Sequence, residues 1–163
     1  SRHLLPVRPY HYFGHGKSPG TSEERDQQLS HSLSTLREVH EAFYAAPQSV
    51  DAATELSILR RRVLSGARIV FSGVFPLETL DVRRTEEGCW VESLGGTIGV
   101  DLDSETTHLV AKNVGTQKVH AALQMPNVQV VSLAWFWFTV YHCRRETEAH
   151  FQLVPPGTGG AAA

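Results

Sequence analysis

Cysteine is scarce in this chain: among 163 residues there are only two, Cys89 and Cys143, with no CxxC pair. Without a third or fourth thiol neither a zinc cage nor a disulfide framework is indicated, and a reducing compartment, cytosol or nucleus, is the default. Long apolar runs are missing too. None approaches the roughly 18 residues of a membrane span, and the opening Ser1-Arg2-His3-Leu4-Leu5-Pro6 is no signal peptide. Nor is there an excess of positive charge. Fifteen Lys and Arg stand against 17 Asp and Glu, net −2, whereas sequence-independent binding to a phosphate backbone draws on a basic surplus. The first residue is not Met and the last seven are Gly157-Thr158-Gly159-Gly160 and three alanines, so a piece of a longer chain is expected.

What is present is one core. A hydrophobic share of 41% over this length fits a single globular domain of about 150 residues. Residues 1–22 read as an extended entry that Pro6 and Pro9 keep out of helix, followed by turns at Gly14, Gly16, Pro19 and Gly20. From 23 to 44 the apolar positions Leu29, Leu33, Leu36, Val39 and Phe43 recur at helical spacing. After Pro47, Ser49 or Asp51 can cap a second helix carrying Ala53, Leu56, Leu59 and Val63, which ends near Ser65-Gly66. Its last turn holds Arg60-Arg61-Arg62, read as a solvated face that complements the helix dipole. Beyond Gly66 short apolar runs at 67–71, 97–100, 107–111 and 128–131 alternate with helical segments at 86–94, 116–125 and 133–142. Short strands separated by helices predict one small parallel α/β sheet covered on both faces.

Several constellations could carry chemistry. Ser72-Gly73 closes the first strand, and ligands of parallel sheets lie outside the carboxyl ends of their strands. The hydroxyl can donate to an anion, and glycine lets a backbone N–H approach it. Gly115-Thr116-Gln117-Lys118 opens the helix after the third strand, offering an ammonium and free N–H groups, although a Thr there is commonly a plain N-cap. Asp101-Leu102-Asp103-Ser104-Glu105-Thr106 approaches the DxDxT loop of aspartate-dependent phosphatases, but Glu105 stands where the Thr belongs, so it reads as an acidic surface turn. No catalytic residues are assigned. The histidines are scattered: His11 and His15 lie in a Pro/Gly-rich stretch, and His108 and His120 lack an HExxH context, so no metal site is expected. The aromatic run Trp135-Phe136-Trp137-Phe138 reads as a helix packed deeply against the sheet rather than a base-stacking surface.

Taken in order, residues 66–143 resemble a BRCT domain. The resemblance rests on the strand ending Phe71-Ser72-Gly73, the Gly95-Gly96 turn, Thr106-Thr107-His108-Leu109-Val110, Thr116-x-Lys118, and Val130-Val131-Ser132 leading to Trp135. It implies a four-stranded parallel sheet of order 2-1-3-4 flanked by three helices, preceded here by a helical leader. It makes Gly95, Gly96 and Trp135 fold-defining. It also carries phosphate binding onto Ser72, Gly73 and Lys118, with Thr116 supporting Lys118. The leader adds Val7-x-Pro9-Tyr10-x-Tyr12-Phe13, Leu36-x-x-Val39-His40-x-x-Phe43-Tyr44 and Val63-Leu64-x-Gly66. With these the chain resembles the C-terminal region of FCP-type phosphatases that act on the carboxy-terminal repeats of RNA polymerase II.

That second resemblance implies four segments: 1–22 as the extended end of an upstream catalytic domain, 23–65 as the helical leader, 66–153 as the BRCT domain and 154–163 as a disordered tail. It implies a nuclear, magnesium-dependent serine/threonine phosphatase as parent, with the DxDxT loop outside this segment, no cofactor within it, and an inactive isolated segment. The implied partners are the phosphorylated polymerase repeats and the general transcription factor TFIIF, with no membrane and no nucleic acid. Two alternatives stay open: a purely structural BRCT module without a phosphate ligand, and a DNA-end-binding BRCT of a repair protein. The charge divides along the same boundary. Residues 1–65 carry eight basic and seven acidic side chains, +1, and residues 66–163 carry seven and ten, −3.

Overall fold

The computed structural model of the chain describes residues 28–45, 51–76 and 78–153. The extended entry, Ser49, His11, His15 and the 154–163 tail lie outside them. Two leader helices come first, α1 (Gln28–Ala45) and α2 (Ala52–Val63). Asp51 caps α2, its carboxylate accepting from the Thr54 N–H at 2.6 Å. The remaining elements alternate: β1 (Arg68–Ser72), α3 (Glu86–Ser93), β2 (Thr97–Gly99), β3 (His108–Ala111), α4 (Gln117–Ala122), β4 (Gln129–Ser132) and α5 (Leu133–His142).

The strands form one parallel sheet in the expected order β2-β1-β3-β4. Ile69 pairs with Ile98 and His108, and Leu109 with Val130. Alternation along the strands divides the core. Ile69, Phe71, Ile98, Val110 and Val131 face Val91 of α3, Leu94 just after it, and Trp135, Phe136 and Val140 of α5. Val70, Leu109, Ala111 and Val130 face Val119 and Ala122 of α4. Both faces of β1, β3 and β4 are thus apolar, which explains why these strands read as unbroken hydrophobic runs. Three helices cover the sheet, two on one face and one on the other.

Three expectations need correction. The periodic stripe of α1 is buried only in part: Val39 is buried, with Thr35 one turn before it, and Phe43 is half-buried, while Leu29 and Leu36 remain 74% and 53% exposed. α1 packs on α2 and α5, and the direction of those neighbours, not the stripe, selects what is covered. The arginine triplet is not one solvated face. Arg61 and Arg62 are exposed, but Arg60 follows Leu56 by one turn and is buried with it, its guanidinium 5.7 Å from the Trp90 ring centre. Finally, α4 ends at Ala122, before the expected Met125. The bonds Gln124 N–H to Ala121 C=O and Met125 N–H to Ala122 C=O are three residues long and tighten the chain out of the α-helix. Pro126, next in line, disfavours the helical conformation at Met125.

Beyond α5 the chain folds back. Cys143 takes a left-handed conformation, φ 50°, and the Trp135 indole N–H donates to the Glu146 carbonyl at 2.8 Å. A 3₁₀ turn, Glu148–Phe151, then brings the Leu153 N–H to the Val130 carbonyl at 3.0 Å. His108, at the centre of this region, is buried and stacks on Trp135 with centroids 4.9 Å apart. Burial pushes its pKa below the ordinary imidazole value, the Arg145 guanidinium adds to this, and Glu148 opposes it.

A pH dependence follows. A histidine depressed in the folded state favours folding while neutral; the unfolded chain takes up the proton first, below about pH 6.5. The contribution is therefore complete above that value and is lost as pH falls through the lower folded value. His31 shifts in the same direction. We expect the urea midpoint to decline from about pH 6.5 downward, before the carboxylates Asp103 and Glu148, both held low, begin to protonate. Equal midpoints at about pH 7.5 and 5.5 would contradict this assignment.

Candidate functional site

The carboxyl edge of the sheet brings together Ser72, Gly73 and Thr116, with Lys118 two residues further on in α4. Ser72 is the last residue of β1, its strand end pinned by the Lys112 N–H donating to the Ser72 carbonyl at 3.1 Å. Its hydroxyl is buried and lies 2.7 Å from that of Thr116. Thr116 is the N-cap of α4, where its oxygen also accepts from the Val119 N–H at 3.3 Å. One proton joins the two hydroxyls, so one of the pair's two protons is left to donate elsewhere. Gly73 follows in an exposed turn with φ +66°, and Thr116 Cγ2 is the nearest atom to where its side chain would begin, at 3.9 Å. α4 is only six residues long, so its dipole, invoked from the sequence, adds little at this point.

Lys118 reaches further than expected. From α4, which packs on β3 and β4, its ammonium extends to the far side of β1 and donates to the Val100 carbonyl, just past β2, at 2.7 Å. There it also meets the Asp101 carboxylate at 2.8 Å. Gly99, the last residue of β2, pairs with Val70, two residues before the end of β1, so the ammonium, at the Val100 carbonyl just past β2, lies on the same carboxyl side of the sheet as Ser72. Asp101 is the ion-pair partner of Lys118 that sequence reasoning missed: seventeen positions separate the two, and no local pattern joins them.

The neighbouring acidic string is structural. Arg68 grips Asp103 through Nη2 at 2.6 Å and Nε at 3.0 Å, while the other carboxylate oxygen accepts from the Glu105 N–H and the Thr106 hydroxyl. The hydrogen bond from Arg68, with that from Thr106, holds the Asp103 carboxyl below the usual range. Such a carboxylate ties the β2–β3 turn to β1 and is not free to act as a nucleophile. Gly95, Gly96 and Trp135 lie away from this edge. Gly95 and Gly96 close the turn between α3 and β2 against α2 and Leu64, and Trp135 is buried between β3 and the chain that follows α5. No group of three or more His, Cys, Asp or Glu among the described residues could hold a metal ion.

A four-stranded parallel sheet of order 2-1-3-4, with two helices on one face and one on the other, defines a BRCT domain. The twin BRCT domain family matches residues 84–135, from the turn before α3 into α5. The first BRCT domain of the DNA-repair protein XRCC1 shares the fold, with a TM-score of 0.52 and 19% identity over 91% of this chain and 90% of that one. The leader brings closer relatives. The RNA polymerase II C-terminal domain phosphatase of Schizosaccharomyces pombe is 28% identical over 141 residues, 80% of this chain and 19% of its own length. A solved structure of the fission yeast RNA polymerase II CTD phosphatase Fcp1 superposes with a TM-score of 0.70 and 27% identity, covering 82% of this chain and 39% of that one. The chain is a BRCT-bearing relative of the FCP-type RNA polymerase II C-terminal-domain phosphatases, and it spans less than half the length of these two relatives.

Proposed function

We propose that this chain is the interaction region of a nuclear RNA polymerase II C-terminal-domain phosphatase. Its BRCT domain seats one phosphate of the phosphorylated heptad tail and presents neighbouring phosphates to an upstream active site. The observation that carries this reading is the hydroxyl pair of Ser72 and Thr116, 2.7 Å apart, at the sheet edge that Lys118 crosses. Ser72 and Thr116 supply a proton donor, Gly73 an exposed backbone, and Lys118 the charge. Hydrolysis belongs to the parent's catalytic part, which would hold the magnesium and the DxDxT loop. TFIIF is a second partner of the same parent. The purely structural reading is favoured by one fact, the engagement of Lys118 by Asp101 and Val100.

That engagement is weak enough to yield. Asp101 is 79% exposed and Lys118 38%, and exposed ion pairs contribute about 0–1 kcal/mol. A phosphate dianion with a hydroxyl donor beside it competes well against one solvated carboxylate. In calorimetric titration with singly phosphorylated heptad peptides, Lys118→Ala is expected to weaken binding about tenfold or more. Asp101→Asn is expected to strengthen it by up to about fivefold. Identical isotherms for the wild type and Lys118→Ala would leave the structural reading standing.

A further inference from the structure

At the opposite edge of the sheet lies a second concave site. α2 leads into the amino end of β1, and α5, starting at the carboxyl end of β4, runs back to that same side. Between α1, the end of α2 and the end of α5 the chain forms a cleft of about 370 Å³ whose wall includes His31, Glu38, Arg62, His142, Arg144 and Arg145. We propose that this cleft is an anion seat, in which Arg62 and Arg144 grip a phosphate monoester or inorganic phosphate.

The charges support it. Arg145 is taken by Glu148 at 2.7 Å, and Glu146, just outside the wall, is taken by His142 at 2.6 Å. Arg62 and Arg144 have no carboxylate within ion-pair distance among the described residues, and Glu38 pairs with neither. The Arg144 guanidinium instead lies 3.4 Å from His31 Nε2, and the two imidazoles of His31 and His142 approach to 4.3 Å between centroids. Donation from Arg144 requires His31 to carry its proton on Nδ1, an atom shut off from solvent and without a hydrogen-bond partner. Burial lowers the pKa of His31, with His142 and Arg144 adding to the effect and Glu146 opposing it. Two guanidiniums of the wall, Arg62 and Arg144, thus stand outside any ion pair among the described residues, with the Glu38 carboxylate lining the same cleft.

Guanidinium forks match the oxygens of phosphate two at a time, which an ammonium cannot do. The chain as a whole is acidic, which favours a phosphoryl group over a nucleic acid. Ser72 and Lys118 sit at the other edge, so the seat does not depend on them.

NMR of the whole chain tests this by following the His31 and His142 ring signals during titration with inorganic phosphate, a singly phosphorylated serine peptide and its unphosphorylated form. The ring signals should respond to phosphate with an affinity of about millimolar or better. Arg62→Gln and Arg144→Gln, both at exposed positions, should each weaken that response about tenfold, with Lys118→Ala without effect. Tighter binding of the phosphopeptide assigns a phosphorylated protein as the source, and equal or weaker binding assigns free phosphate. Ring signals that ignore phosphate, or glutamine variants that titrate like the wild type, overturn the proposal.

Discussion

Trp135→Ala is expected to cost about 3–5 kcal/mol of folding stability, a large part of the 5–15 kcal/mol that holds a typical domain together. The side chain is fully buried within the cluster that joins β1, β3 and β4 to α3 and α5. Three separate contributions are lost with it: the burial of an indole, the parallel stack on His108, and the hydrogen bond to the Glu146 carbonyl. The last two tie the chain after α5 to the sheet, so a cavity here also releases residues 146–153. Trp135→Phe keeps a buried ring and gives up the hydrogen bond, and should cost about 1–2 kcal/mol. Urea denaturation of the three proteins measures both values. An alanine variant within about 1 kcal/mol of the wild type would mean that Trp135 does not hold this core.

Gly95→Ala is expected to be comparably damaging, for a different reason. Gly95 has φ +85°, and a methyl group there would lie 1.9 Å from the carbonyl oxygen of Arg61 and 2.7 Å from its carbon. These are backbone atoms of α2, in the turn that ends where the Leu64 N–H meets the Leu94 carbonyl at 2.9 Å. They cannot rotate aside, so α2 must separate from the turn that leads into β2. Gly66 supplies the control. Its φ is similarly positive, +75°, but nothing lies within 4 Å of its missing side chain. Gly66→Ala should therefore cost only the conformational term of about 1–2 kcal/mol, and Gly95→Ala about 3 kcal/mol or more. Equal thermal shifts for the two variants would show that close approach to Arg61 contributes nothing.

Much of the architecture was legible because its causes are local. Two-residue alternation does not show in these strands, but length and flanking turns set Arg68–Ser72 and Gln129–Ser132 apart from the helices to within a residue. Asp51 caps α2 through a carboxylate three residues from the N–H it accepts, a distance any sequence reading can span. Thr116 likewise caps α4, and the placement of Ser72, Gly73 and Thr116 together follows from a parallel sheet in which β1 and β3 are neighbours. The limits lie where a residue's surroundings come from elsewhere in the chain. The apolar stripe of α1 has the period of a buried face, yet Leu29 and Leu36 are exposed because no described element stands against them. Arg60 looks like its two neighbours in sequence, yet it alone turns inward toward Trp90 and the end of α5.

The scarcity of cysteine and the balanced charge served to exclude, while the short apolar runs, helix periods and turn residues by themselves determined a small parallel α/β domain with a helical leader, and which strand ends carry its polar residues. They did so because helix periods, caps and strand lengths are written within a few residues of one another. Only the tertiary structure decided what those polar residues meet. Whether Lys118 faces open solvent or the Asp101 carboxylate, and whether Arg62 and Arg144 stand apart or share a cleft, depends on packing between segments up to 82 positions apart. Electrostatic interactions act through space over a few ångströms, and beyond the few residues of one helical turn, separation along the chain does not set that distance.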